Sequence, residues 1–130
     1  MTRVNVVRVE ELSDQHLLAE YRELPRIIKQ HFDIESAPIK YCLGKGHIKW
    51  AKLHSAYIIL RHNLICREMK FRGFTVNYPT KDLMDIWDGG HMYFPSINDI
   101  KLNQQRLIEK YKSKPKWYKW INREKPKYFA

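Results

Sequence analysis

The chain has few of the residues that build disulfide or zinc sites. It contains only two cysteines, Cys42 and Cys66, and no CxxC or HExxH pattern. Two isolated thiols do not make a disulfide framework and are typical of small buried side chains. The histidines are scattered, and His54 and His62 are not at a usual ligand spacing on a helix. The sequence therefore predicts neither a disulfide scaffold nor a metal site.

Long apolar runs are also missing. No stretch of about 18 or more apolar residues occurs, so we expect no membrane span. The N-terminus, Met1-Thr2-Arg3-Val4-Asn5, lacks the charged-then-apolar pattern of a secretory signal. We expect a protein that is not secreted and that works in the cytoplasm, or in the DNA-containing compartment of the host if it is viral.

Acidic residues are scarce relative to basic ones. The chain has 14 acidic and 24 basic residues, a formal net charge of +10, which favours a polyanionic partner. Residues 101–130 hold ten Lys or Arg and two acids. The same stretch holds six aromatic residues: Tyr111, Trp117, Tyr118, Trp120, Tyr128 and Phe129. Cations neutralise phosphates and aromatic faces stack on bases, so this end indicates nucleic-acid binding. A solvated basic tail with a few core aromatics is the alternative interpretation.

A chain of 130 residues fits one domain, and no repeat or linker interrupts it. The pattern predicts a first helix from Ser13 to Lys29, capped by Ser13 or Asp14. Its buried stripe recurs at helical spacing: Leu17, Tyr21, Leu24 and Ile28. Pro25 lies inside this pattern, so we expect the helix to kink or change partners there.

A second helix is predicted from the turn at residues 44–47 to about Phe71, with Gly73 as its stop. A short helical piece is expected after Thr80. The third helix is predicted from Ser96, with Asp99 completing a capping box, to about residue 111. Strand signals are weak. The predicted fold is therefore mainly α, one compact domain of three main helices with an irregular basic and aromatic tail.

Charged side chains share one face of the first helix. At about 100° per residue, His16, Glu20 and Glu23 lie opposite the apolar stripe. Arg22 and Arg26 flank Glu23 as an i,i+4 pair. A carboxylate bordered by cations and a histidine can transfer protons. A charged, solvated helix face also explains the pattern, and this helix alone favours that interpretation.

The extreme N-terminus offers a nucleophile. The initiator methionine is usually removed before a small residue, which would leave Thr2 with a free α-amine. Such an amine has a pKa of about 7.7–8.0, so on the order of a tenth is unprotonated at neutral pH. Nearby cations such as Arg3 lower that pKa further. Unprotonated amines form Schiff bases with sugar aldehydes, including opened deoxyribose.

Five blocks of the chain resemble one protein family. They are MTRVN with VEELSDQHLLAEYRELPR, Gly44-Lys45-Gly46-His47, Arg72-Gly73-Phe74, Gln105-Arg106-Leu107-x-Glu109-Lys110 and Pro115-x-Trp117-Tyr118-Lys119-Trp120. In this order they resemble the pyrimidine-dimer DNA glycosylase/AP lyase family, of the bacteriophage endonuclease V type. The N-terminal block is the most specific, and together the blocks span nearly the whole chain.

The resemblance implies a single domain over residues 1–130 that acts on double-stranded DNA containing pyrimidine dimers or abasic sites. The α-amine of Thr2 would attack C1′ of the damaged nucleotide, and β-elimination through a Schiff base would cut the strand. Glu23 would handle protons and stabilise the cationic intermediate. The family also kinks the duplex and flips out the base opposite the dimer. No cofactor or metal is implied, and we expect a monomer.

The resemblance also implies a set of DNA-binding residues. They are Arg3, Gln15 and His16 near the lesion, Arg22 and Arg26 on phosphates, Lys45 and His47 in the turn, Arg106 and Lys110 on the third helix, and Trp117, Tyr118 and Lys119 in the tail.

Three other functions stay open on the sequence. A non-catalytic DNA-binding protein would keep the basic tail without needing Thr2 and Glu23 together. A glycosylase with the same chemistry could act on another lesion, such as a ring-opened purine or an unusual viral base. An RNA-binding or ribosome-associated protein would share the basic composition.

Overall fold

The computed structural model describes residues 4–31 and 33–130, and within them the chain is helical, without β-strands. The five helices of this part are α1 (Asp14–Lys29), α2 (His47–Leu53), α3 (Ser55–Phe71), α4 (Thr80–Ile86) and α5 (Ile97–Ser113). Two short 3-10 turns cover Val9–Glu11 and Lys127–Phe129. The mainly α prediction is confirmed, and the count of three main helices is corrected.

Helix α1 begins where its capping residue predicts. The Ser13 side chain accepts a hydrogen bond from the backbone N–H of His16, which satisfies one of the free donors of the first turn. The helix then continues through Pro25 to Lys29. Leu17 and Leu24 of the predicted stripe are fully buried, and each such side chain contributes about 1.5–3 kcal/mol on burial.

The single helix predicted across residues 47–71 is wrong, because the chain breaks at His54 (φ −101°, ψ 44°). The loop between α4 and α5 supplies the bonds that replace the helical ones there. The backbone carbonyl of His91 accepts from the Ala56 N–H at 3.1 Å, and the backbone N–H of His91 donates to the Leu53 carbonyl at 3.0 Å. Gly90 allows this approach, since a Cβ at that position would lie 1.8 Å from the Ser55 hydroxyl.

Two predicted helix boundaries depend on local chemistry and are confirmed. Gly73 (φ 93°) ends α3, with the Gly73 N–H on the Lys70 carbonyl and the Phe74 N–H on the Met69 carbonyl, the two bonds of a Schellman motif. Ser96 and Asp99 form a reciprocal capping box at the start of α5.

The core lies between α1 and α3, with Trp50 of α2 fully buried beside them. The N-terminal segment 4–9 is also buried apart from Arg8, although only its last residue is in a regular element. Asn103 of α5 holds this segment, because its side-chain oxygen accepts from the N–H groups of Val6 (2.7 Å) and Val7 (3.1 Å).

The basic and aromatic tail is docked on the first turn of α1. The Asp14 N–H donates to the Lys119 carbonyl at 2.7 Å, and the Asp14 carboxylate accepts from the Ile121 N–H at 3.1 Å. The Trp120 indole donates to the Glu11 carbonyl at 3.0 Å. The tail is therefore irregular but fixed against the helix that carries Glu23. No helix in the described part of the chain is long and apolar enough to cross a bilayer.

Candidate active site

Val4, the first described residue, is held by side chains from the start of α2 and from the loop before it. The Val4 N–H donates to Nε2 of His47 at 3.0 Å, and the Val4 carbonyl accepts from the Tyr41 hydroxyl at 3.0 Å. The next residue, Asn5, donates from its side-chain amide to Oε1 of Glu20 at 2.8 Å. The N-terminal segment thus runs along α1 at the level of Glu20. Thr2 and Arg3 lie outside the described residues.

Glu20 belongs to the core rather than to the solvated face that the helical projection predicts. It is 2% exposed, and its Oε2 lies 2.7 Å from Nε of Arg61 on α3. Arg61 also donates to the carbonyl of Val7. The projection fails because the N-terminal segment, which has no helical pattern of its own, covers this side of α1. The buried Glu20–Arg61 ion pair is therefore in contact with Asn5.

Glu23 lies one turn beyond Glu20, a rise of about 4.5 Å along the helix axis. Its side chain is 19% exposed, and its Oε1 is 3.4 Å from the Arg26 guanidinium, which is itself 70% exposed. Arg22 is exposed on the same helix. The carboxylate is thus partly shielded from water and paired with one cation that reaches into solvent. Such a group can accept a proton and stabilise positive charge.

His47 is the first residue of α2 and is buried. Its Nδ1 lies 2.7 Å from the Cys42 carbonyl, and its ring packs against Trp50 with centroids 5.9 Å apart. Lys45, two residues earlier, is exposed. The structure therefore gives His47 the role of holding Val4, whereas the Lys45 side chain makes no such internal contact among those described and faces solvent.

His16 lies beneath the tail. Its ring stacks on Tyr118, with centroids 4.7 Å apart and planes 11° apart, and its Nδ1 is 2.9 Å from the Ser13 hydroxyl. Burial, together with the positive charge of Lys110, lowers the pKa of His16 to about 4. The imidazole is therefore neutral at pH 7. This stack joins two of the residues that the resemblance assigns to DNA binding.

A comparison with protein families identifies the chain. A family model described as pyrimidine dimer DNA glycosylase matches residues 1–82. The chain belongs to the pyrimidine dimer DNA glycosylase family. The matched part contains the anchored N-terminal segment, all of α1 and the His47 turn. The substrate class of this family is DNA, which agrees with the net charge of +10.

Further candidate residues lie beyond the matched part, on α5 and in the tail. Arg106 and Lys110 are four residues apart on α5, and the Arg106 guanidinium is 3.4 Å from Glu109. The side-chain oxygen of Gln15 accepts from the Lys119 N–H at 3.0 Å, so Gln15 helps to fix the tail. Trp117 is 61% exposed.

The candidate residues of the described part fall into separate groups in the structure. The structure joins Gln15, His16, Tyr118 and Lys119 at the first turn of α1, with Lys110 close enough to affect His16. Glu23 and Arg26 are paired about two to three turns further along the helix. His47 lies inside the protein.

Two residues that organise this site are not among the sequence candidates. Tyr41 holds the Val4 carbonyl, and Asn103 holds Val6 and Val7 and donates to the Asn5 side chain at 2.8 Å. A signal for Asn103 does exist, because it lies on the apolar stripe of α5, four residues before the buried Leu107. A polar side chain on such a stripe needs a buried partner. Tyr41 gives no comparable signal.

Proposed function

We propose that this glycosylase excises ultraviolet-induced cyclobutane pyrimidine dimers and then cuts the strand as an AP lyase, with the α-amine of Thr2 as nucleophile. The observation that carries the proposal is the anchoring of Val4 and Asn5 beside Glu20, one helical turn from Glu23. Two residues span at most about 7 Å, so an amine at residue 2 stays within that distance of the Val4 nitrogen. Chain connectivity thus supports a shared site for the amine and Glu23.

The chemistry then follows in two stages. The amine nitrogen forms a bond to C1′, and the C1′–N bond to the base breaks, with the electron pair and a proton going to the base. Opening of the sugar ring gives a protonated Schiff base. Removal of a C2′ proton then breaks the C3′–O bond, which releases the 3′-side strand. We assign the proton transfers and the stabilisation of the iminium charge to Glu23.

Cations around the site would both bind DNA and assist the amine. Arg22 and Arg26 are exposed beside Glu23, where they suit the phosphates flanking the lesion. Their charge also favours the unprotonated form of a neighbouring amine. Arg3, Lys45, Arg106, Lys110 and Lys119 would extend the phosphate contacts, and Trp117 and Tyr118 would stack at the damaged step. Flipping a base at a distorted lesion costs less than in intact DNA.

Borohydride trapping on a dimer-containing duplex, followed by mass spectrometry, tests the proposal. We expect a covalent adduct on residue 2, with Met1 removed. Mild periodate gives the matched control, because it oxidises an N-terminal threonine to an aldehyde and destroys that amine. The treated protein should bind DNA without forming an adduct. An adduct on a lysine, or tight binding without any adduct, would contradict the proposal.

A panel of defined lesions tests the substrate. We expect strand cleavage at cyclobutane dimers and at abasic sites, and none at ring-opened purines. Preferential cleavage at ring-opened purines would agree with the proposed chemistry but would contradict the proposed substrate.

A further inference from the structure

Both backbone groups of Val4 are bonded to side chains, one from the loop before α2 and one from the first residue of α2. His47 accepts from its N–H and Tyr41 donates to its carbonyl, each at 3.0 Å. These partners are 43 and 37 residues away along the chain. A pair of backbone hydrogen bonds fixes both the position and the direction of the chain at this point. We call Val4, Tyr41 and His47 the Val4 clamp.

The hydrogen bonds define the tautomer of His47. Its Nδ1 lies 2.7 Å from the Cys42 carbonyl, and a carbonyl oxygen can only accept. Nδ1 therefore carries the hydrogen, and Nε2 keeps the lone pair that the Val4 N–H requires. A neutral imidazole in one tautomer thus satisfies both neighbours.

Packing leaves the clamp little freedom to move. Tyr41 is buried, and its ring meets Trp50 edge-on with centroids 4.9 Å apart. Its backbone N–H donates to the Tyr93 hydroxyl at 2.9 Å, which in turn donates to Asp99. The clamp is therefore tied to the capping box of α5 as well as to α2.

We propose that Tyr41 and His47 are positioning residues for the N-terminal amine, acting through Val4 without touching DNA. This inference rests on the proposed function, because it assigns the clamp to the nucleophile of that reaction. Residue 2 is only two positions from Val4, so the position of an amine at residue 2 depends on how firmly Val4 is held. A misplacement of about 1 Å is enough to slow a reaction on the order of 10²-fold.

The sharpest test is Tyr41→Phe, which removes only the hydroxyl that holds the Val4 carbonyl. Under single-turnover conditions, well below the melting temperature, we expect borohydride trapping on a dimer-containing duplex to slow by about 10- to 100-fold. The dissociation constant for the same duplex should not change. Tyr78→Phe removes a phenol oxygen near α4 and is the matched control, with trapping at the parental rate.

A second pair of variants tests His47. His47→Leu removes the acceptor for the Val4 N–H, whereas His47→Gln offers a side-chain oxygen in its place. We expect slow trapping by His47→Leu and at least partial recovery by His47→Gln. Equal defects in both variants would mean that ring packing matters and the hydrogen bond does not, which would overturn the inference.

The outcomes separate this inference from the proposed function. If the parent protein forms no adduct at residue 2, both the proposed function and the positioning role are overturned. If the parent forms that adduct and Tyr41→Phe forms it equally fast, only the positioning role is overturned. A defect of Tyr41→Phe that lies in the dissociation constant, with trapping of bound DNA unchanged, would also overturn it.

Discussion

The carboxylate of Asp14 and the guanidinium of Arg72 meet 3.0 Å apart in the interior, where helix α1 begins and helix α3 ends. The Arg72 side chain is fully buried and also donates to Glu68 at 2.9 Å. Because Asp14 accepts from the Ile121 N–H as well, one guanidinium links two helices and the tail. The same network reaches Arg123, which donates to both oxygens of Glu68 at 2.8 Å.

Arg72→Met should destabilise the protein strongly. The variant leaves the Asp14 carboxylate buried without its cation and Glu68 with Arg123 alone, and breaking a buried ion pair in this way costs about 3–5 kcal/mol. Urea unfolding measures the change. Arg67→Met, at an exposed position of α3, is the matched control and should stay within about 0.5 kcal/mol of the parent. A loss for Arg72→Met as small as the control's would show that the network contributes little.

The stability of the protein should fall between pH 6.5 and about 4 because of His16. Burial, and then Lys110, lowers its folded-state pKa to about 4 from the ordinary 6.5. As the pH falls, the unfolded chain takes up this proton before the folded protein does. The contribution of His16 to the free energy of unfolding is therefore fully present above pH 6.5 and is lost as the pH falls towards 4. His16→Phe, which keeps a ring under Tyr118, should flatten this part of the profile. NMR titration of the His16 ring with a midpoint near 6.5 would contradict the argument.

Glu23→Gln should keep DNA binding and lose strand cleavage. The amide preserves the size of the side chain but cannot take up a proton, and loss of a general base costs about 10²–10⁴-fold in rate. Dissociation constants and single-turnover cleavage on a dimer-containing duplex give the two quantities separately. Glu35→Gln, in the exposed loop before α2, should leave both unchanged. A parallel loss of binding and cleavage would indicate that Glu23 has a structural role.

Arg106→Ala should weaken binding to damaged and undamaged DNA by the same factor. A phosphate contact carries no lesion information, and its loss should reduce the salt slope of binding by about 1. Affinities measured at several salt concentrations give that slope. Lys81→Ala, on the exposed side of α4, removes a charge elsewhere and serves as the comparison. A selective loss on damaged DNA would instead place Arg106 in lesion recognition.

Features determined by neighbouring residues could be read from the sequence. The Ser13 cap, the Gly73 stop and the Ser96–Asp99 capping box each depend on side chains within a few positions of the helix end. Hydrogen bonds of this kind form wherever the local sequence allows them. For that reason the helix ends were predictable.

Features determined by distant residues could not be read in this way. The break at His54 depends on His91 and Gly90, more than 30 residues later. The burial of Glu20 depends on Asn5, which belongs to a segment without helical or strand pattern. In the candidate site, the position of Glu23 on α1 could be read from helical spacing, but its proposed role came only from the family resemblance. Tyr41 gave no signal in the sequence.

The hydrogen bonds that fix the N-terminal segment and the tail join opposite ends of the polypeptide. Val6 meets Asn103 across 97 positions, and Asp14 meets Ile121 across 107. A ribosome makes the first residue of each pair several seconds before the second, at about 5–20 residues per second. The bonds made by Asn103 and Ile121 therefore form late, and a chain still being made lacks the contacts that join the N-terminal segment to α5 and the tail to α1.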